Sequence, residues 1–244
     1  TLLKLLSVGA ATGVMLSMSK MLPEYYVHNF RSEPPETPFA PTWNIHLIEK
    51  TWESIDCEFL YSFLMQKRRE ILKMKPVLVG NKVSDGNTKL GRRNIMSRYS
   101  LYNVFKFENA HLYTLRNAIV QQLKVLYGVL DIPQPEYVYL NGWINLLNFG
   151  EKVAPHIHST NSKSYLGGNF CVKVMKSETV FINPVNQINH PETYRSVNET
   201  GKLTIFENKV PHYSTRNLSF RKRMTISFNI RMHDIDDNAI RIKL

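Results

Sequence analysis

The sequence predicts an α+β fold, with helices in the first half of the body and a run of short strands after them that closes into a sandwich or barrel. Three observations carry this. Apolar residues keep a helical period over two segments that end before Pro133. From Tyr137 onward an alternation of period two takes over, with Gly, Asn and Pro between short apolar runs. No internal repeat or low-complexity tract interrupts the change.

The first segment stands apart from that body. Residues 2–22 read LLKLLSVGAATGVMLSMSKML, and their only charges, Lys4 and Lys20, lie near the ends. A helix over this stretch would span roughly 31 Å at ~1.5 Å per residue, which matches a hydrocarbon core of ~30 Å. Gly9 and Gly13 would admit a neighbouring helix, and Tyr25 and Tyr26 would fall at an interface. Residues 1–22 are therefore expected to form an apolar helix that anchors the chain in a membrane or against subunits of a membrane complex. A signal-peptide core or the remnant of a targeting segment is the competing reading. The mitochondrial inner membrane is a candidate location, given the basic character and few cysteines. Residues 23–42 hold Pro23, Pro34, Pro35, Pro38 and Pro41 and are expected to be an extended linker.

The body then runs over residues 43–244. A short strand is predicted over 43–48, with Trp43, Ile45 and Leu47 on one face. Phe59, Leu60, Phe63 and Leu64 predict an amphipathic helix within 55–72, its end solvated by Lys67, Arg68 and Arg69. Residues 77–93, with Gly80, Gly86 and Gly91, read as a long loop. Leu112, Leu115, Ile119 and Leu123 predict a second helix over 110–130, closed by Gly128, Pro133 and Pro135. Strands are predicted over 137–147, 164–174, 179–182, 203–206 and 224–231, with a loop at 187–200.

Composition bounds the function loosely. The chain has 244 residues, 43% hydrophobic and 11% aromatic, which is ample for a packed core. A formal charge of +11 and a pI near 9.6 suit an anionic membrane surface, nucleic acid or an acidic partner. The basic clusters Lys67-Arg68-Arg69 and Arg221-Lys222-Arg223 are short, and zinc-finger spacing and aromatic-interleaved motifs are missing, so nucleic acid is not the expected partner. Cys57 and Cys171 form no CxxC, which excludes a disulfide scaffold.

The chemistry concentrates late in the chain. In Pro155-His156-Ile157-His158 the two histidines share a face if the segment is extended. Imidazole suits iron, zinc, copper or nickel. His212 is the natural third ligand, and three ligands on one face leave positions open for substrate. Along 223–230, Met224, Ile226, Phe228 and Ile230 point one way and Arg223, Thr225, Ser227 and Asn229 the other. If that polar row faces a cavity beside the metal, Arg223 could hold a carboxylate in a two-pronged salt bridge, with a hydroxyl from Thr225 or Ser227.

Together these motifs resemble the iron(II)/2-oxoglutarate-dependent oxygenases, in particular the prolyl 4-hydroxylase-related type common in phage and bacteria. The resemblance rests on Trp143-Ile144-Asn145, His156-Ile157-His158, the run Leu166 to Phe170, Gly201 to Phe206 followed by His212, and Arg223 to Asn229. It covers about the last 90 residues strongly and none of the first 40. It implies a double-stranded β-helix, or jelly roll, with supporting helices. It further implies iron(II) on His156, His158 and His212, and 2-oxoglutarate on Arg223 with Thr225, Ser227 and Asn145. The implied reaction couples oxidative decarboxylation of 2-oxoglutarate to hydroxylation of a C–H bond in an unknown protein or small molecule. Three positions depart from the pattern: His158 where a carboxylate is common, Gly167 where Ser is usual, and Glu207-Asn208 where Pro-Ser is usual. A second expectation follows from those departures and the apolar N-terminus, namely an inactive oxygenase-derived accessory subunit of a membrane complex.

Overall fold

The computed structural model describes residues 25–158, 165–185, 191–233 and 238–244. The expected apolar helix over residues 1–22 lies outside them. No helix among the described residues is long and apolar enough to cross a membrane.

Sheet structure begins earlier than the sequence suggests. Strand β1 (Tyr26–Arg31) falls inside the stretch read as a linker and pairs antiparallel with β2 (Asn44–Thr51). The prolines explain why only this piece joins: residues 26–31 hold none, and those after them cannot donate to a ladder. Helix α1 (Cys57–Ile71) follows, capped by the Asp56 carboxylate, which accepts from the Phe59 N–H at 2.9 Å. The predicted loop at 77–93 contains a small hairpin, β3 (Leu78–Val79) and β4 (Lys82–Val83). Helix α2 (Ala110–Leu130) starts where the Asn109 side chain accepts from the His111 and Leu112 N–H groups. It runs through Gly128 and stops at Asp131, which takes a left-handed conformation with φ 51°.

The remaining strands are β5 (Tyr137–Leu147), β6 (Leu166–Lys173), β7 (Glu178–Ile182), β8 (Thr193–Val197), β9 (Lys202–Glu207), β10 (His212–Ser214), β11 (Arg223–Arg231) and β12 (Ile240–Lys243). Strand β8 corrects the loop expected at 187–200. Its residues Thr193-Tyr194-Arg195-Ser196-Val197 alternate in a mixed polar way that periodicity cannot distinguish from a loop.

Apart from the β3–β4 hairpin, the described strands form two antiparallel sheets. The larger has the order β1-β2-β9-β6-β11-β5-β12, and the smaller β10-β7-β8. Alternation sorts the residues of the larger sheet between two cores. Ile48, Ile205, Phe170, Met224, Ile226, Phe228 and Ile230 turn toward α1 and α2 and join the main core with Leu60, Leu64, Leu115 and Ile119. Ile45, Leu47 and Phe206 turn the other way and meet Phe181 of the smaller sheet and Val210. The polar row of β11 therefore faces the space between the sheets, an outcome that the alternation alone did not decide.

Two glycines make the centre of the larger sheet possible. Phe228 lies opposite Gly142 on one neighbour strand and Gly168 on the other. A Cβ on Gly168 would lie 2.1 Å from the Phe228 ring, and one on Gly142 would lie 2.4 Å from Phe105. Both rings are fully buried. Gly168→Ala should destabilise the protein by about 1–3 kcal/mol through overpacking. Urea unfolding followed by circular dichroism measures this, and an unchanged midpoint would contradict the packing described.

Candidate metal centre and its two cavities

The three histidines converge because the backbone brings them together. His156 and His212 exchange both main-chain hydrogen bonds, at 3.1 and 3.0 Å, and form an isolated antiparallel bridge. Residues paired in this way project their side chains to the same side of the ladder. Two residues on, the His158 N–H donates to the Asn208 carbonyl at 3.2 Å. Ring centroids are 4.4 Å apart for His156 and His212, 5.0 Å for His158 and His212, and 5.7 Å for His156 and His158. One nitrogen from each ring lies within 4.8 Å of the other two.

Their hydrogen bonds decide which nitrogens face each other. Nδ1 of His156 bonds to the Ala154 carbonyl at 2.8 Å, and Nδ1 of His212 to the Val210 carbonyl at 3.0 Å. A carbonyl only accepts, so Nδ1 carries the proton in both rings and the Nε2 lone pair is left free. Nδ1 of His158 meets Oδ1 of Asn229 at 2.6 Å, which assigns the same tautomer. Burial lowers the pKa of all three, His158 to about 4 and His212 well below the usual histidine range, with mutual repulsion adding at His158 and His212. The rings are thus neutral at physiological pH. Neutral imidazoles fixed through Nδ1 are the form and orientation that a transition metal takes. The donor set fits a divalent transition metal held through three Nε2 atoms.

The departures at Gly167, Asn208 and His158 turn out to be one structural unit. A Cβ on Gly167 would lie 2.8 Å from Nδ1 of His158 and 3.0 Å from Oδ1 of Asn208. The missing side chain is therefore the space that the His158 ring occupies. Trp143 and Phe206 border the same ring, at centroid distances of 5.8 and 5.7 Å. Gly167→Ala should weaken metal binding about 10–100-fold, the usual cost of disturbing a ligand's support, while the fold survives. Anaerobic calorimetric titration with iron(II) reads this. Affinity equal to that of the parent chain would show that the ring is not held by this contact.

Two cavities meet at the histidines. The outer one, about 220 Å³, is lined by Trp143, Tyr99, Met96, His156, His158 and Asn229, among others. Gly86, Asn87 and Thr88 complete its wall, so the glycine-containing loop does reach the site. The inner cleft is narrower, about 30 Å³, and is lined by His156, His212, Tyr213, Arg223, Thr225 and Ser227. Asn145 and Ser227 border both and are joined by a 2.6 Å hydrogen bond from Asn145 Nδ2 to Ser227 Oγ.

Arg223 is the exceptional residue of the inner cleft. It is 3% exposed, and its Nε has no hydrogen-bond partner. None of the ion pairs among the described residues includes it. Burial lowers its pKa, yet an arginine keeps its charge in proteins. A buried cation without a carboxylate is costly unless an anion arrives to pair with it. By contrast, Cys57 and Cys171 are free and buried, their thiols pushed up to about 11 by burial.

The structure thus brings together all seven residues picked from the sequence: His156, His158, His212, Arg223, Thr225, Ser227 and Asn145. Sequence reasoning missed the supporting roles of Asn229 and Asn208. Asn229 was visible as the last member of the polar row, but nothing in the sequence pairs it with His158.

No family model and no curated protein matches the chain. Among solved structures it is similar to a prolyl-4-hydroxylase from Pseudomonas putida, with 9% identity, a TM-score of 0.47, and coverage of 77% of this chain and 92% of that one. It is also similar to an oxidoreductase of the 2OG-Fe(II) oxygenase family from Burkholderia pseudomallei (12% identity, TM-score 0.41, 54% and 63% covered). A third is SnoN, a non-heme alpha ketoglutarate dependent epimerase from nogalamycin biosynthesis (13% identity, TM-score 0.46, 76% and 77% covered). At such identities the chemistry has to come from the donor set and cavities of this chain itself.

Proposed function

We propose that the chain is an iron(II)- and 2-oxoglutarate-dependent oxygenase built on a jelly roll. The observation that carries this is the buried, unpaired Arg223 in a cleft that also contains His156 and His212. A metal site alone would leave the reaction class open. A metal site beside a buried guanidinium calls for a ligand that is anionic at its far end and able to chelate at its near end, as 2-oxoglutarate is.

When bound, iron(II) with 2-oxoglutarate and dioxygen supplies the oxidising power, converting 2-oxoglutarate to succinate and CO₂ as a C–H bond is hydroxylated. The chain's own residues set the geometry. His156, His158 and His212 would hold the metal through their unprotonated Nε2 atoms. Arg223 would pair with the distal carboxylate, and Thr225, which lines the same cleft, could add a hydroxyl donor. Asn145 and Ser227 stand between the two cavities and separate cosubstrate from substrate. Trp143, Tyr99 and Met96 give the outer cavity one apolar side within an otherwise mostly polar lining. Its volume suits a small molecule or a single protein side chain.

Anaerobic reconstitution with iron(II) and 2-oxoglutarate, followed by admission of oxygen, tests the reading. One iron per chain and oxygen-dependent succinate formation are expected, even without the natural substrate. A chain that binds no iron and forms no succinate would refute it.

A further inference from the structure

Beyond Leu147 and Arg223, which lie opposite each other at the end of the β5–β11 pair, two loops run side by side over residues 148–152 and 215–222. Asn217, fully buried, knits them together. Its N–H donates to the Glu151 carbonyl at 2.9 Å, and its carbonyl accepts from the Gly150 N–H at 2.8 Å. Its Nδ2 donates to the carbonyls of Leu147 and Arg221, and its Oδ1 accepts from the Ser219 N–H. Arg216 and Lys222 brace the same loops through the Gly150 carbonyl and the Asn148 side chain. The tips are therefore fixed by main-chain contacts.

What this scaffold displays is apolar. Phe149 and Phe220 project from the two tips and stack on each other, centroids 4.8 Å apart and planes within 10°. Phe220 is 91% exposed, Leu218 in the same loop 70%, and Phe149 53%. Large apolar groups held in water gain nothing for the fold. The surrounding charge has one sign. The two loops contain Lys152, Arg216, Arg221 and Lys222 against a single carboxylate, Glu151. None of the ion pairs among the described residues includes any of these cations.

We propose that this platform docks the protein on an anionic lipid bilayer, with Phe149, Phe220 and Leu218 entering the acyl boundary and the four cations meeting the headgroups. Leu218 rims an open cleft with Val197, Thr215 and Arg216, but the stacked rings of Phe149 and Phe220 stand proud at the loop tips, which suits insertion into a deformable phase. Single-stranded nucleic acid is favoured less, because each ring already uses one face in the stack and Leu218 offers no stacking surface. The platform does not depend on the oxygenase reading, since none of its residues belongs to the metal centre.

Co-sedimentation of the full chain with vesicles of phosphatidylcholine containing phosphatidylserine tests it. The Phe149→Ala, Phe220→Ala double variant should lose at least tenfold in partitioning, and binding to the parent chain should weaken with added salt. Unchanged partitioning of the double variant overturns the proposal, and also covers the case in which residues 2–22 alone bind the vesicles. Equal binding of neutral and anionic vesicles overturns it as well, as does binding of an oligonucleotide with no binding of vesicles. In a Phe220→Trp chain, the tryptophan emission should shift to the blue on addition of anionic vesicles and respond to brominated lipid. No shift overturns it even if the double variant proves poorly folded. Iron content and circular dichroism, expected to be unchanged in both variants, identify a folding defect directly.

Discussion

His212→Ala is expected to abolish stoichiometric iron binding, with a fall in affinity beyond about 100-fold, more than the loss of an orienting partner usually costs. The size of the effect follows from position. His212 lies on the smaller sheet and is bridged to His156 by two main-chain hydrogen bonds, so no neighbouring residue can slide into its place. Among the described residues no other group of three His, Cys, Asp or Glu could hold a metal. The hydrogen bonds of the bridge are main-chain and survive the substitution, so the change should leave far-ultraviolet circular dichroism intact. Metal analysis after gel filtration and anaerobic titration calorimetry measure the outcome. A variant that retains affinity within about threefold would remove His212 from the ligand set.

Arg223→Leu should act in two opposite directions. The guanidinium is buried and its Nε is unsatisfied, so in the unliganded protein it works against folding. Replacing buried ionic groups with hydrophobic residues often stabilises by about 1–4 kcal/mol, and Leu, although shorter than Arg, removes the charge. For a domain of this size that corresponds to a rise in melting temperature of roughly 2–15 °C. The same variant should lose the thermal stabilisation that 2-oxoglutarate confers on the parent chain, which at 100 times its Kd would be about 2.7 kcal/mol. Differential scanning calorimetry with and without 2-oxoglutarate, iron present throughout, reads both signs at once. If the variant is less stable unliganded, Arg223 serves the fold. If 2-oxoglutarate still raises its melting temperature, the anion is held elsewhere.

The parts of this molecule that were legible beforehand are those where one period dominates. Both helices follow from apolar spacing, and the six strands read from the sequence all occur, with shifted ends except at Tyr137–Leu147. Strands β1, β8, β10 and β12 were not legible, nor was the two-residue hairpin β3–β4 inside the stretch read as a loop. Tyr26–Arg31 lies among prolines, Thr193–Val197 alternates without an apolar face, and His212–Ser214 and Ile240–Lys243 are too short to show a period. The site was more legible than the fold around it. Ligand-type residues at i and i+2 already imply a shared face, and the polar row of β11 contrasts with its apolar partner row. What could not be read is pairing across the chain. The Asn229–His158 bond joins residues 71 positions apart, and only the assembled sheet makes them neighbours.

The contact between Gly167 and His158 bears on how such a site can change through time. A hydroxymethyl group added at Gly167 would collide with the imidazole. A carboxylate placed at His158 would leave the space beside Gly167 unfilled and the Asn229 side chain without its 2.6 Å partner. Each step taken alone passes through a damaged protein, whereas the two together exchange one self-consistent arrangement for another. The side chain at this position is therefore set by its neighbours, and a carboxylate there would require changes at Gly167 and His158 in concert.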